Sequence, residues 1–144
     1  MTHPGFPPTL TDAVRHCEAV APMEGVGAYV AVDGGWRFVP LTNVLGSPVG
    51  FEVDPREWMR LERESEGRRL CVVHAHPDGV PTLSAKDQAA FTIDGRPLRT
   101  HLTLVVLALR EGRVQAARGF AFEGMWVCVE RFDTLSLQSD SDMH

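Results

Sequence analysis

At 144 residues the chain is long enough for one domain with a real core. Its apolar fraction of 44% excludes wholesale disorder, and a net charge of -5 with no basic run or stripe argues against a nucleic-acid partner. No apolar stretch approaches the ~20 residues that span a bilayer, so no membrane partner is expected, and the opening MTHPGFPPTL lacks the pattern of a signal peptide.

Residues 1–9 are rich in proline and read as a flexible lead-in. Residues 10–21 read as a first helix, with Thr11 or Asp12 as its cap and Leu10, Val14, Cys17 and Val20 or Ala21 on one face. Residues 26–41 read as two strands joined by a turn at Asp33-Gly34-Gly35. Residues 53–68 carry strong helix punctuation: Asp54 at the N-cap, Pro55 at the first helical position and Gly67 at the stop. Trp58 and Leu61 mark the buried stripe of that helix.

The run RLCVVHAH (69–76) is apolar on both faces, as a central strand of a sheet would be. Residues 84–93 read as a short helix starting at Ser84, residues 101–122 as a long hairpin turning at Glu111-Gly112, and residues 125–132 as a last strand. The segment 133–144 has the composition of a flexible tail, leaving one domain over 10–132. Interleaved helices and strands give an α/β or α+β class, with a sheet covered by helices.

Cys17, Cys71 and Cys128 are scattered and odd in number, with no CxxC pair, which points to reduced thiols in a cytoplasmic protein. Thirteen arginines stand against one lysine, Lys86.

The chemistry concentrates in VVHAHPDGVPTLSAKDQAAF (72–91). Side chains two apart on a strand share a face, so His74 and His76 project together while Cys71 points away. A third ligand must come from elsewhere, and Asp87, in the first turn of the next helix, is the natural candidate. Two imidazoles and one carboxylate leave an open fourth position, the pattern of a catalytic rather than a structural zinc. Hydrolysis would also need a general base that is not a ligand. Asp78 is the acidic residue within the stretch, and Glu24, in APMEGVGAYV where a helix gives way to a strand, is the attractive alternative. Ser84 could donate to an oxyanion. Ser84 and Asp87 also form an S-x-x-D capping pattern, a purely structural use expected to compete with metal binding for the Asp87 carboxylate.

The order Glu, then His-x-His-Pro, six residues, Ser, two residues, Asp resembles the JAMM motif of the MPN+ zinc metalloproteases. Here it is Glu24 followed by HAHPDGVPTLSAKD, with Ser84 and Asp87 at the expected offsets. Glu24 and Gly27 match the upstream Glu-x-Cys-Gly pattern while Val26 replaces its cysteine, which is not a family metal ligand. The stretch VPLTNVLGSPVGFEVDP, including Asn43, also looks like the family's intervening segment, and the resemblance covers roughly residues 10 to 130.

That resemblance implies a mixed, curved β-sheet flanked by helices, similar to the cytidine-deaminase-like architecture. It implies one zinc per chain on His74, His76 and Asp87, Glu24 as general base and Ser84 as oxyanion donor. It further implies cleavage after the C-terminal glycine of a ubiquitin-like or sulfur-carrier protein ending in Gly-Gly. A tail that must be held extended is expected to pair along a sheet edge beside loop 77–83. A deaminase is disfavoured because its PCxxC ligands are absent. The rival readings are a phage-tail or cell-wall JAMM peptidase and a non-catalytic MPN scaffold.

Overall fold

The computed structural model describes residues 3–133 and residue 137. Its helices are α1 (Thr11–Val20), α2 (Pro55–Glu64) and α3 (Ala85–Ala90). Its strands are β1 (Val26–Val32), β2 (Gly35–Leu41), β3 (Leu70–Pro77), β4 (Thr92–Ile93), β5 (Arg96–Pro97), β6 (Leu102–Arg110), β7 (Arg113–Phe122) and β8 (Trp126–Arg131). Six of them form one mixed sheet in the order β2-β1-β3-β6-β7-β8, in which β3 and β6 run parallel and the other pairs antiparallel. Register shifts at Ala108/Leu109 and Gly119/Phe120 are β-bulges, the device by which a sheet bends.

The strand periodicity read from the sequence is realised in two separate cores. Cys71, Val73 and Ala75 of β3 face one side, where Leu10, Ala13, Val14 and Cys17 bring α1 down onto Val105 and Leu107. Leu70 and Val72 face the other, packed with Leu104 and Val106, Leu61 of α2 and Phe91 at the end of α3. Helices therefore cover both faces of the sheet, and β3, buried on both, is the middle of the molecule. Fully burying a Leu or Val side chain contributes about 1.5–3 kcal/mol, so the two clusters supply most of what holds the fold.

The tight turns follow the residues expected at them. Glu111 and Gly112 both have positive φ (53° and 79°), the geometry of a two-residue hairpin. Asp54 caps α2 by accepting from the Arg56 amide, with Pro55 behind it.

Three local expectations change. Neither Thr11 nor Asp12 caps α1: Leu10 holds the N-cap position without a side-chain bond, and the Tyr29 hydroxyl accepts from the Ala13 amide at 3.0 Å instead. The helix read over 84–93 stops at Ala90, because Thr92 and Ile93 pair with Arg96 and Pro97 around an Asp94-Gly95 turn whose φ angles are both positive. Residues 3–9, expected to be loose, are tied down. Phe6 is buried in the α1-side core, and the Thr103 hydroxyl donates to the Gly5 carbonyl at 2.6 Å. Of the tail read over 133–144, only Asp133 and Leu137 lie among the described residues.

Candidate metal centre

Strand register brings the site together. In the β1–β3 ladder Val26 lies opposite His74, and the Ala75 amide donates to the Gly25 carbonyl at 2.9 Å, so the chain two residues before Val26 falls level with His76. That residue is Glu24. In the β1–β2 ladder Val26 lies opposite Leu41, and the same two-residue step sets Asn43 level with Glu24. Residues far apart in sequence thus meet at one end of β1, on the face that carries His74.

Glu24 is gripped by its main chain. Its amide donates to the Ser47 carbonyl at 2.9 Å, and its carbonyl accepts from Asn43 Nδ2 at 2.9 Å. Asn43 also donates to the Gly50 carbonyl, while its Oδ1 accepts from the Leu45 and Glu52 amides. One side-chain amide therefore organises the whole segment from 43 to 52 and fastens it to Glu24. Gly25 is required beside it: a Cβ there would lie 2.8 Å from Cys17 Sγ.

His74, His76 and Asp87 each offer a ligand atom, all within 4.8 Å of one another. His76 Nε2 lies 3.0 Å and His74 Nε2 3.1 Å from the same atom, Asp87 Oδ2. The His76 contact has hydrogen-bond geometry. The His74 contact does not, so both nitrogens of this fully buried ring lack a hydrogen-bond partner among the described residues. A buried imidazole with unsatisfied nitrogens is costly, and a metal ion would relieve that cost. His76 Nδ1 meets the Val80 carbonyl at 2.9 Å; a carbonyl can only accept, so Nδ1 carries a proton, and Nε2, turned to Asp87, is the nitrogen that would ligate a metal once its own proton is lost. The residues present fit a divalent metal: two neutral nitrogens and one carboxylate oxygen, with apolar cover from Phe51, whose ring lies 5.0 Å from that of His74, and from Phe91 behind it.

The two uses expected of Asp87 meet on one atom. Its Oδ2 accepts from the Ser84 amide at 3.1 Å while Ser84 Oγ accepts from the Asp87 amide at 3.0 Å, a complete capping box. The same oxygen faces both histidines. The cap aims the carboxylate rather than consuming it.

Burial raises the Asp87 carboxyl, but the imidazoles of His74 and His76 and the Ser84 amide outweigh it and hold the group well below the usual carboxylate range. Burial pushes His74 down. Burial also works against a charge on His76, yet Asp87 and the Val80 carbonyl bring it above its ordinary value. Burial lifts Glu24 to about 7, with Asp87 adding to the rise and His76 and Lys86 opposing it. Glu24 is 6% exposed, and its Oε1 has no hydrogen-bond partner among the described residues.

Other candidates are placed elsewhere. Asp78, the alternative base, turns its Oδ1 toward the Glu111 amide at the β6–β7 turn, where its neighbours are Pro22, Leu109 and Gly112. Cys71 lies in the opposite core, as its strand position requires. Ser84 is exposed at the mouth of the site. As expected of a central strand, β3 is hydrogen-bonded on both sides; the edges of the six-stranded sheet are β2 and β8. The roles of Asn43, Phe51 and the Val80 carbonyl went unread in the sequence. Asn43 stood out in the segment but carried no spacing signal for what it holds.

No helix among the described residues is long and apolar enough to cross a membrane. Comparison with curated proteins finds no match. Among solved structures, the solution structure of protein DSY2949 from Desulfitobacterium hafniense is similar with a TM-score of 0.64 at 21% identity, over 85% of this chain and 86% of that one. The solution structure of a protein from Salinibacter ruber is similar with a TM-score of 0.52 at 19% identity, over 85% and 86% respectively. At such identities the likeness speaks for the fold alone. The family of prokaryotic homologs of the JAB domain matches residues 6–118. With the mixed sheet, the His-His-Asp group and this match over most of its length, the chain belongs to the prokaryotic JAB-domain family.

Proposed function

We propose that the protein is a zinc-dependent peptidase or isopeptidase that hydrolyses the bond after the C-terminal glycine of a ubiquitin-like or sulfur-carrier protein. The observation that carries this reading is the placement of Glu24: buried, level with His76 beside the metal-ligand group, and with no hydrogen-bond partner at Oε1 among the described residues. A carboxylate held there, and not itself a ligand, is placed to take a proton and return it, as a general base turned general acid must.

In this reading His74, His76 and Asp87 hold one zinc, which supplies Lewis acidity and brings the pKa of water to about 7. Glu24 takes one proton from the attacking water and delivers it to the leaving nitrogen, and the water's second proton passes from the newly formed carboxyl group to the same nitrogen. The water oxygen joins the carbonyl carbon, the C–N bond breaks, and a carboxylate and a protonated amine leave. The Ser84 hydroxyl, exposed at the same mouth, donates to the oxyanion. The tail is proposed to enter between the segment 43–53 and the loop 78–83, where Val44, Leu45, Val49 and Val80 expose apolar surface on either side. Free thiols at Cys17, Cys71 and Cys128 suit a cytoplasmic protein.

The test is cleavage of fusions between ubiquitin-like proteins ending in Gly-Gly and a short peptide, by zinc-loaded wild type and Glu24→Ala. Cleavage by the wild type alone supports the reading. No cleavage by the wild type favours a non-catalytic scaffold, and equal cleavage of a variant ending in Gly-Val favours a general peptidase.

A further inference from the structure

The row of residues that holds His74 continues across the sheet. His74 pairs with Val106 of β6, Val106 with Arg118 of β7, and Arg118 with Arg131 of β8. Strands lie about 4.8 Å apart, which sets Arg118 and Arg131 roughly 10 and 14 Å from His74, on the same face as the metal centre. Two arginines directly opposite each other repel, and such like-charge pairs destabilise a sheet. Neither has a side-chain hydrogen bond or ion pair among the described residues, whereas Arg37, Arg68 and Arg113 pair with Glu64, Asp33 and Glu18. Glu130, next to Arg131, projects to the other face, where it accepts from the His3 amide. Arg131 is exposed and Arg118 half-buried. In the neighbouring row, level with His76, Ala108 and Ala116 keep the surface low. They floor a cavity of about 480 Å³ whose walls include Gln115 and Pro81. On the β2 side of the metal centre the charges are satisfied within the chain: Glu57 accepts from Thr42, and Glu64 from Arg37.

We infer that Arg118 and Arg131 dock a cluster of carboxylates on the body of the ubiquitin-like substrate, so that the protein selects partners that are acidic beside their Gly-Gly tail. The inference deepens the proposed hydrolase reading and rests on it for the identity of the partner. Only an extended tail enters the metal centre, so the folded body rests on the surface around it. A domain of about 100 residues has a radius of gyration of about 13 Å, and both arginines fall within its footprint. The chain as a whole carries a net charge of -5, so this pair is a local reversal of sign. A positive patch that meets a negative one speeds encounter and rejects partners of the wrong charge. Carboxylates placed between the two guanidinium groups also remove the repulsion that the free protein carries.

The probe is a peptide that begins acetyl-Glu-Glu-Glu-Glu, continues as a Gly-Ser linker and ends in Gly-Gly, against the same peptide with glutamine for each glutamate. A flexible linker of about six residues spans roughly 13 Å, the separation required. Affinities for zinc-loaded Glu24→Ala protein are measured by NMR titration. The acidic peptide is expected to bind at least about tenfold tighter than the neutral one, the range of one charge-assisted hydrogen bond, and the advantage is expected to shrink as salt rises. Adding Arg118→Gln and Arg131→Gln together is expected to erase it while zinc content stays unchanged. Because the pair repels, the protein with both changes is expected to be no less stable than its parent, and Arg131→Gln alone, at an exposed position, is expected to weaken the advantage in the same direction. Equal affinities overturn the inference. So does an advantage that survives both changes, since the glutamates would then sit on the metal. A single-stranded oligonucleotide that binds tighter than the acidic peptide through the same arginines assigns the face to nucleic acid and also overturns it. If wild type cuts no Gly-Gly fusion while the arginine-dependent advantage holds, the hydrolase reading fails and the face for an acidic partner stands.

Discussion

Asn43 holds Glu24 by the main chain: its Nδ2 lies 2.9 Å from the Glu24 carbonyl, and the same amide group closes three further bonds within residues 43–52. Asn43→Asp keeps the shape and replaces two donors by an acceptor facing two carbonyls. Because small misplacements of catalytic groups cost on the order of a hundredfold in rate, kcat is expected to fall by about ten- to a hundredfold while zinc content is unchanged. Steady-state kinetics with metal analysis of the same samples checks this. Loss of zinc in step with activity would mean that Asn43 supports the whole site and not Glu24 in particular.

Glu24 also sets a pH dependence in the metal-free protein. Its carboxyl titrates near 7 folded against an ordinary value near 4.5, so between these the unfolded chain binds fewer protons than the folded one. Its contribution therefore favours folding at low pH and is lost as pH rises from about 4.5 through 7. Glu24→Gln is expected to stabilise the chelated protein by about 1–3 kcal/mol at pH 8 and by little at pH 4.5. Urea unfolding at the two values measures this, and an equal effect at both would assign it to packing instead of charge.

Ser84 caps α3, and under the proposed hydrolase reading it has a second, separable role as oxyanion donor. Ser84→Ala removes both the cap and the hydroxyl; Ser84→Gly removes the hydroxyl but costs the helix only a few tenths of a kcal/mol. Both are expected to lose about a hundred- to a thousandfold in turnover, whereas only Ser84→Ala loses about 1 kcal/mol of stability through the cap. If turnover follows stability across the pair, the oxyanion role is wrong.

Under the proposed zinc-binding reading, the loop after β3 is expected to tune metal affinity through His76. A Cβ on Gly79 would come within 2.8 Å of His76 Cβ, so Gly79→Ala must shift the turn that presents the Val80 carbonyl to Nδ1. Losing such a supporting bond typically costs about ten- to a hundredfold in metal affinity. Competition with a chromophoric chelator gives the value, and an unchanged affinity would show that the ring is oriented without Val80.

Local patterns carried much of this into view. The two-residue period of β3 placed His74 and His76 on one face and Cys71 on the other, and the Asp54-Pro55 and Glu111-Gly112 signals marked a helix start and a hairpin. What stayed hidden depends on register. Glu24, Asn43 and His76 come level only through the pairing of β1 with both β2 and β3, which no single segment encodes. The ribbon from 43 to 53 has no periodicity because the Asn43 side chain, not a strand ladder, organises much of it. The two-residue strands β4 and β5 were too short to separate from the helix before them. At Asp87 two local rules competed in the sequence, and the fold turns a single oxygen toward both the Ser84 amide and the two imidazoles.

The most direct test of the metal centre is zinc content by elemental analysis of wild type, Glu24→Ala and Asp87→Ala, each folded with zinc and desalted. The account predicts about one zinc per chain in the wild type and in Glu24→Ala, because Glu24 is no ligand, and little in Asp87→Ala. A wild type without zinc, or an Asp87→Ala protein that binds as much as the wild type, would contradict it.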